Sequence, residues 1–427
     1  MINKALHIYR ITIAIFVLCL LSTTLHAGAW IMTPDDDEET ADTLAVDSMA
    51  ASDGDEEMPW GEKIRTRIDR LLESSIFTTS MVGMEIYDLT GDSLLFAYNE
   101  RQTLRPASTM KMIVAVTALD RLGSSYNYAT SLYYKGERDS TTLHGDIYCK
   151  GGFDPAFGRS DMESFVEAVR GLGIDTIRGN IYADVSMKDK DRLGEGWCWD
   201  DDNPVLSPLL ISEKDEFVIQ LKNRLTRAGI MVCGDTEEGK LPHDAVEICR
   251  KERSIGSIMK RMMKRSDNLY AESMFYQLAA KEAGTHTPSA RHGRQAVNRL
   301  VTKFGLKPSR YYIADGSGLS LYNYVSPHLE VMFLRHAFAN KDIYDNLLPT
   351  MPVAGVDGTL SKRMRRGYAH GNVKAKTGTV TGISALAGYC TAANGNIICF
   401  SIMNSGIRHS SSGRNFQDRV CEALCKP

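Results

Sequence analysis

The sequence predicts an α+β fold in which an antiparallel sheet is flanked by helices and carries a long inserted region. Two strands, Met81 to Leu89 and Ser93 to Tyr98, are joined by the turn Thr90-Gly91-Asp92 and read as a hairpin. Three more strands are predicted close to the C-terminus, with helical segments before and after them. Strands at both ends of the chain and helices between them are typical of one antiparallel sheet covered by helices.

The first 29 residues have the pattern of a signal peptide. Lys4 and Arg10 precede an apolar run from Ile11 to Leu21, and the small residues Ala27-Gly28-Ala29 follow it. The run is too short to span a bilayer, and small residues at alternate positions suit a signal peptidase. We expect export to the periplasm or cell envelope with cleavage near Ala27 or Ala29. An uncleaved anchor is the alternative.

Residues 30–59 are interpreted as an acidic disordered linker, because the segment from Asp35 to Glu57 contains eleven carboxylates and no Lys or Arg. The chain has 50 basic and 53 acidic residues, so without this segment's eleven acids and the two signal cations 48 and 42 remain, a net charge of about +6. Such a mildly basic remainder suits an anionic substrate or surface. It falls short of the charge typical of a nucleic-acid-binding protein.

The helical segments and strands of the remainder were assigned from hydrophobic spacing. Between residues 124 and 250 short strands and turns replace this pattern, and we interpret that stretch as one or more inserted accessory domains. The predicted helices are Trp60 to Ser74, one beginning at Ser108, Phe217 to Ala228 in the insert, Ser254 to Lys264, one ending near Ala283, Val325 to Phe338, and Ser412 to Cys425. The further predicted strands are Ala129 to Tyr134, Leu143 to Lys150, Ile177 to Asp184, Ile230 to Cys233, Asn372 to Thr377, Ile383 to Thr391 and Asn396 to Met403, with a tight turn at Asn394-Gly395 between the last two.

The segment from Arg105 to Gly123 organises the chain. Its residues after Lys111 are apolar on nearly every side, which predicts a helix buried in the core. Ser108 would begin that helix, and Lys111 would lie one turn later on the same face. A serine hydroxyl becomes a good nucleophile when a neighbour takes its proton, and a lysine amine can do so if burial or a nearby cation keeps it neutral.

Three short motifs follow one another along the chain: Ser108-Thr-Met-Lys111, Ser266-Asp-Asn268 and Lys376-Thr-Gly378. Each is weak alone, since a serine at a helix start is usually a cap and a second S-x-x-K occurs at Ser257. In this order the three match the set found in penicillin-binding proteins and class A β-lactamases.

The chain resembles D-alanyl-D-alanine carboxypeptidases of the penicillin-binding protein 4 type, peptidase family S13, from about Trp60 to the C-terminus. Besides the three motifs, the resemblance rests on Gly151-Gly-Phe-Asp-Pro155, Ser266 to Glu272, Asp315-Gly-Ser-Gly-Leu-Ser320, Lys374 to Thr379 and Leu386-Ala-Gly-Tyr389. It implies a penicillin-binding, β-lactamase-like transpeptidase domain formed by residues 60–123 plus 251–427. The region between the first and second motifs corresponds to that family's characteristic insert.

This resemblance and the chemistry of the side chains assign roles to the motif residues. Ser108 is expected to attack the carbonyl between two terminal D-alanines, while Lys111, kept neutral by the cation Lys376, accepts its proton. The backbone N–H groups of Ser108 and Thr379 would hold the oxyanion. The remaining assignments give proton transfer to the leaving amine to Ser266, orientation of the peptide to Asn268, and binding of the free carboxylate to Lys376, Thr377, Gly378 and Thr379.

The expected partners are peptidoglycan stem peptides and, as covalent inhibitors, β-lactam antibiotics. We expect no cofactor, no metal, no nucleic acid, and at most peripheral membrane or wall association. The ten histidines show no zinc-peptidase spacing, and glycine loops for nucleotides are lacking. Endopeptidase action on cross-links is a further activity compatible with the motifs. The alternatives are a β-lactamase and an inactive wall-binding or scaffolding protein.

Eight cysteines follow the predicted signal peptide. In an oxidising envelope some of them can pair, and equally they can be buried thiols. The i, i+4 pair Cys421 and Cys425 is better explained by core packing than by metal binding.

Overall fold

The structure is a computed structural model that describes residues 58–200 and 203–427. The predicted signal peptide and almost all of the predicted acidic linker therefore lie outside the described residues.

A five-stranded antiparallel sheet is built from both ends of the chain. Its strands are β1 (Met81–Asp88), β2 (Ser93–Tyr98), β10 (Lys374–Val380), β11 (Ile383–Thr391) and β12 (Ile397–Ser405). Their order is β10-β11-β12-β1-β2, so β12 lies beside β1, with Met84 opposite Ile402. The predicted N-terminal hairpin and the three predicted C-terminal strands are all present. Gly395, with a φ of 87°, closes the turn between β11 and β12.

Helices cover both faces of this sheet. They are α1 (Trp60–Leu71), α2 (Ile76–Thr79), α3 (Met110–Leu122), α6 (Ile255–Arg265), α7 (Asn268–Ala283), α8 (Ala290–Lys303), α9 (Pro327–Ala339), α10 (Lys341–Leu347) and α11 (Ser410–Cys425), while α4 and α5 belong to a second sheet. On one face, α1 and α11 bury Ile68 and Leu424 in a core with the sheet residue Phe400. On the other face, α3 lies in the larger core, and every residue from Met110 to Leu119 is buried. The predicted α+β class and the predicted burial of the helix after Ser108 are confirmed.

A second sheet of seven strands lies between residues 127 and 254 and has its own core. Its strands are β3 (Asn127–Asp139), β4 (Thr142–Lys150), β5 (Thr176–Ile177), β6 (Ile181–Asp184), β7 (Met231–Val232), β8 (Thr236–Glu238) and β9 (Val246–Ser254), and its helices are α4 (Arg159–Arg170) and α5 (Phe217–Arg227). The core includes Phe157, Phe165 and Phe217, whose rings touch one another. Pairing is antiparallel around β3 and parallel from β4 outward.

The prediction of one strand from Ile177 to Asp184 was wrong. The chain breaks at Arg178-Gly179-Asn180, and β5 and β6 pair separately with β4. Gly179 lies so close to β4 that a Cβ there would be 2.2 Å from the Gly145 carbonyl oxygen. The close approach of the two backbones at Gly179 therefore separates β5 from β6. Helices α2, α4, α8 and α10 and strands β8 and β9 were not predicted.

Within the described residues, no helix is long and apolar enough to cross a membrane. In the same part of the chain, no cluster of three or more His, Cys, Asp or Glu side chains could hold a metal ion. The eight described cysteines are free thiols, and Cys421 and Cys425 lie in the core between α11 and the sheet.

Candidate active site

The first motif forms a turn in front of the buried helix. Ser108 lies in a 3₁₀ turn, Ala107–Thr109, and α3 begins only at Met110, so the helix starts slightly later than predicted. Ser108 is half-buried, and Lys111 is fully buried within the first turn of α3. The Lys111 Nζ atom lies 2.8 Å from Ser108 Oγ. The hydroxyl is thus both open to a substrate and within reach of an amine.

The second motif lies at the break between α6 and α7. Ser266 ends α6 with a left-handed backbone, φ 59°, and Asp267 caps α7 by accepting a hydrogen bond from the Tyr270 N–H. This sharp change of direction places the two motif side chains against different lysines. Asn268 Oδ1 lies 2.8 Å from Lys111 Nζ, and Ser266 Oγ lies 2.9 Å from Lys376 Nζ.

The third motif lies on β10, the edge strand of the five-stranded sheet. Lys376 is fully buried, and its Nζ also donates to the Thr377 carbonyl oxygen at 2.7 Å. Gly378 packs directly on the nucleophile's turn. A Cβ at this position would be 2.5 Å from the Pro106 carbonyl oxygen and 3.1 Å from the Ser108 nitrogen. Only glycine allows the strand to approach so closely.

The structure therefore brings the three motifs together in one place. Ser108, Lys111 and Asn268 form one hydrogen-bonded group, and Ser266 with Lys376 forms a second group beside it. Thr379 follows Gly378 on the strand and is exposed, opposite Ser384 of β11. Thr377 points to a different neighbour, since its hydroxyl donates to Thr359 at 2.7 Å.

Burial shifts the pKa values of both lysines downward. It lowers the pKa of Lys111 to about 8, against an opposing effect of the nearby carboxylates Asp315, Glu272 and Asp267. The pKa of Lys376 is lowered well below its usual value, first by burial and then by repulsion from Lys111. The sequence had assigned the neutral state of Lys111 to the charge of Lys376. The structure corrects this cause, because loss of solvent is what lowers the pKa of Lys111.

Sequence reasoning missed the residues behind Lys111. They are the loop from Asp315 to Ser320 and the Glu272 side chain of α7, which together form a wall behind the amine. The Ser317 carbonyl oxygen lies 2.7 Å from Lys111 Nζ, and the loop that carries it is held by the buried carboxylates of Glu272 and Asp315. The signal is present in Asp315-Gly-Ser-Gly318, which carries part of the family resemblance. Gly318, with a φ of 81°, lies against the nucleophile's turn, and a Cβ there would be 1.8 Å from the Ala107 carbonyl oxygen.

The second S-x-x-K is structural. Ser257 lies in the first turn of α6, where its hydroxyl donates to the Ser254 carbonyl oxygen at 2.8 Å. Its Oγ is therefore committed to a local backbone bond.

Comparison with known proteins identifies the family. The model of the D-Ala-D-Ala carboxypeptidase 3 (S13) family matches residues 64–212 and 209–425. The chain belongs to peptidase family S13. Among similar proteins, the D-alanyl-D-alanine carboxypeptidase of Actinomadura sp. (strain R39) is 26% identical, over 81% of each chain. The D-alanyl-D-alanine carboxypeptidase DacB of Haemophilus influenzae is also 26% identical, over 75% of this chain and 84% of its own.

Solved structures share the S13 fold. The crystal structure of penicillin-binding protein 4 (dacB) from H. influenzae superposes with a TM-score of 0.75 at 22% identity, covering 84% of this chain and 98% of that one. A penicillin G-acylated predatory endopeptidase from Bdellovibrio bacteriovorus, Bd3459, superposes with a TM-score of 0.52 at 19% identity, covering 79% of this chain and 89% of that one. The predicted penicillin-binding, β-lactamase-like fold is confirmed.

Proposed function

We propose that this S13 protein is a serine-type D-Ala-D-Ala carboxypeptidase that acts through an acyl-enzyme on Ser108. The observation that carries the proposal is the 2.8 Å distance between Ser108 Oγ and the Nζ of Lys111, where burial lowers the pKa of the amine to about 8. Near neutral pH a useful fraction of such an amine is uncharged and can accept a proton.

In the first step, Ser108 Oγ attacks the carbonyl carbon of the penultimate D-alanine and gives its proton to Lys111. The negative charge that develops on the carbonyl oxygen is held by the backbone N–H groups of Ser108 and Thr379. Each such donor is worth about 2.7 to 4 kcal/mol where it has been measured in other enzymes. Asn268, which touches Lys111, orients the peptide beside it.

In the second step, the C–N bond breaks and the terminal D-alanine leaves as an amine that takes up the proton. We assign to Ser266 the transfer of this proton from Lys111. The Ser266 hydroxyl accepts a hydrogen bond from Lys376 Nζ at 2.9 Å in the neighbouring group. Water then attacks the ester carbon, Lys111 accepts a proton from the water, and Ser108 Oγ recovers a proton as the acyl group departs.

The free carboxylate of the substrate supplies the counter-charge that Lys376 lacks. In the described part of the chain, the hydrogen-bond partners of its Nζ are a hydroxyl and a carbonyl oxygen, both uncharged. A buried amine without an anion gains most from an incoming carboxylate. We assign Thr377, Gly378 and Thr379 to the binding of the same carboxylate. The site therefore favours a substrate that ends one residue beyond the bond to be cut.

Penicillins are proposed to acylate the same serine, and the resulting acyl-enzyme is proposed to be hydrolysed slowly. Glu272 of α7 and Asp315, the two carboxylates whose charges act most on Lys111, are each 1% exposed and accept hydrogen bonds from backbone N–H groups of the loop from Asp315 to Ser320. They are poorly placed to activate a water molecule against the acyl-enzyme. This favours a penicillin-sensitive peptidase over the alternative, a β-lactamase.

The proposal includes peptidoglycan stem peptides as substrates, cleavage of peptide cross-links as a second activity, and export to the periplasm or cell envelope. Cross-link cleavage uses the same acylation, provided a carboxylate lies next to the leaving amine. Export rests on the N-terminal segment with Lys4, Arg10 and the apolar run that follows. Fractionation of cells that produce the full chain tests it.

Labelling and turnover by the purified protein test the proposed activity. Fluorescent penicillin should label the wild type and the Ser257→Ala control stoichiometrically, and should not label Ser108→Ala. A pentapeptide ending in D-Ala-D-Ala should release D-alanine only with the first two proteins, and a cross-linked dimer should be cut by them as well. Equal labelling of Ser108→Ala would overturn the proposal. Rapid nitrocefin turnover would support the β-lactamase, and a wild type without label or turnover would support the scaffolding protein.

A further inference from the structure

A buried carboxylate lies behind the proposed base and has no part in the mechanism above. Glu272 is on α7, one turn after Asn268, and only 1% of it is exposed. A carboxylate so far from water normally has a charged or hydrogen-bonded partner that explains it. Here the partners are backbone N–H groups of the loop from Asp315 to Ser320.

Glu272 is connected to Lys111 through one residue, Ser317. Its Oε1 accepts hydrogen bonds from the Ser317 N–H at 2.7 Å and the Gly316 N–H at 3.1 Å. The carbonyl oxygen of that same Ser317 lies 2.7 Å from Lys111 Nζ. Moving the carboxylate would therefore move the carbonyl that orients the amine.

The loop is fixed from its other side by Asp315. Its carboxylate accepts hydrogen bonds from the N–H groups of Gly318 at 2.8 Å and Ser320 at 2.6 Å. The loop also packs closely on α7, since a Cβ at Gly316 would be 2.6 Å from Phe275 Cβ. Two buried carboxylates and close packing thus hold six residues in a single position.

The charge of Glu272 also acts on Lys111. Its negative charge, with those of Asp315 and Asp267, raises the pKa of Lys111 against the effect of burial. Burial and the charge of Asp315 raise the pKa of Glu272 itself to about 8. The titratable groups around this carboxylate are Lys111 on α3, Asp315 on the loop, and Asp267 and Tyr276 on α7, while Lys376 on β10 acts on Lys111.

We propose that Glu272 is a positioning residue that holds the Ser317 carbonyl against the Lys111 amine and, once ionised, places a negative charge beside it. The inference rests on the proposed function, because it assigns Glu272 its effect through the base that activates Ser108. Among the described residues, Glu272 accepts hydrogen bonds from Gly316 and Ser317 and not from Ser108.

Two substitutions separate the hydrogen bonds of Glu272 from its charge. Glu272→Gln keeps an oxygen at the position that accepts both N–H groups and removes the charge, whereas Glu272→Ala removes both. The rate constant for labelling of Ser108 by fluorescent penicillin is measured from pH 5.5 to 10. Ser273→Ala is the matched control, since Ser273 is the next buried residue of α7 and its hydroxyl donates to the Phe153 carbonyl oxygen, away from the loop.

We expect Glu272→Ala to lower the high-pH limit of the labelling rate by about tenfold or more, because a misplaced base loses its geometry. Glu272→Gln should restore most of that limit. It should also move the rise of the rate to lower pH, by about half a unit or more, because a charge that raises the pKa of Lys111 is lost. Ser273→Ala should change neither the limit nor the position of the rise.

Labelling of wild type but not of Ser108→Ala first shows that Ser108 is acylated, and release of D-alanine by the wild type shows that the proposed function holds. The inference is then overturned if Glu272→Ala keeps the limiting rate of Ser273→Ala. If Glu272→Ala does not fold, Glu272→Gln tests the inference instead. The inference is overturned if the labelling rate of Glu272→Gln rises at the same pH as that of the wild type. Wild type without label contradicts the proposed function instead.

Discussion

The two buried lysines of the site have different surroundings. Lys111 has three carboxylates nearby that oppose the effect of burial, and its pKa of about 8 reflects this balance. Lys376 has burial and the charge of Lys111 acting in the same direction, and both lower its pKa. In the free protein the pKa of the Lys376 amine is thus shifted toward the neutral state. A bound carboxylate would reverse this preference.

Binding of a C-terminal carboxylate should therefore be accompanied by proton uptake. In the free protein Lys376 loses its proton well below its ordinary pKa, and an adjacent carboxylate raises that pKa, so between the two values the complex holds more protons. Calorimetric titration of Ser108→Ala with a D-Ala-D-Ala peptide, in two buffers of different ionisation enthalpy, measures the uptake. The same peptide with a C-terminal amide is the control and should show little uptake. Equal uptake with both peptides would contradict the assigned role of Lys376.

At the scale of the elements, the site depends on how closely three backbones approach. Strand β10, the 3₁₀ turn with Ser108 and the loop from Asp315 to Ser320 meet where Gly378 and Gly318 have no side chain. Each glycine faces a carbonyl oxygen of the turn at a distance that a Cβ could not keep. Their lack of a side chain is therefore a condition for the contact between motifs.

A methyl group at Gly378 should separate the strand from the turn. In Gly378→Ala, the Cβ would lie 2.5 Å from the Pro106 carbonyl oxygen, so β10 or the turn must move. We expect the rate of labelling by fluorescent penicillin to fall by about tenfold or more, since reacting groups lose their alignment. Gly256→Ala is the control, because a Cβ there would meet nothing within 4 Å and α6 should be unharmed. Similar rates for both variants would show that the approach of β10 is unimportant.

The sequence alone predicts those elements that depend on residues close to one another in the chain. The apolar pattern after Lys111 predicts α3, and Asn394-Gly395 predicts the turn before β12, since both depend on neighbouring residues. The break at Gly179 depends on a contact with Gly145 from another strand, and local spacing does not reveal such a contact. The missed α4 is a different case. Its apolar Met162, Phe165, Val166 and Val169 recur at helical spacing, so that signal was available.

The same distinction applies to the site. Serine, lysine and asparagine form recognisable motifs because their spacing within each motif is short. The partners of Lys111 in the wall behind it come from elsewhere, as Glu272 and Ser317 are 45 residues apart and meet only in the folded chain. The cause of the lowered pKa of Lys111 was also hidden, because burial is a property of the whole core.

At the scale of the whole molecule, the segment that follows β6 of the second sheet contacts the loop from Asp315 to Ser320 behind Lys111. The segment after β6 places Trp197 so that its Nε1 donates to Asp315 at 2.8 Å. Next to it, Glu195 pairs with Arg294 and accepts a hydrogen bond from the Tyr312 hydroxyl. The region between the first and second motifs thus helps to fix the loop from Asp315 to Ser320. Its removal should affect the site as well as the periphery.

Trp197→Phe tests this connection, because phenylalanine keeps an aromatic ring and loses the N–H group that Asp315 accepts. A buried carboxylate that loses a donor destabilises the fold by about 1–3 kcal/mol, so the free energy of unfolding in urea should fall by this amount. Labelling of Ser108 by penicillin should slow several-fold as the loop loosens. Trp199→Phe is the control. Its indole is 84% exposed, and its substitution should change the free energy of unfolding by less than about 0.5 kcal/mol. If the two variants unfold and react alike, the second sheet region does not stabilise the site through Trp197.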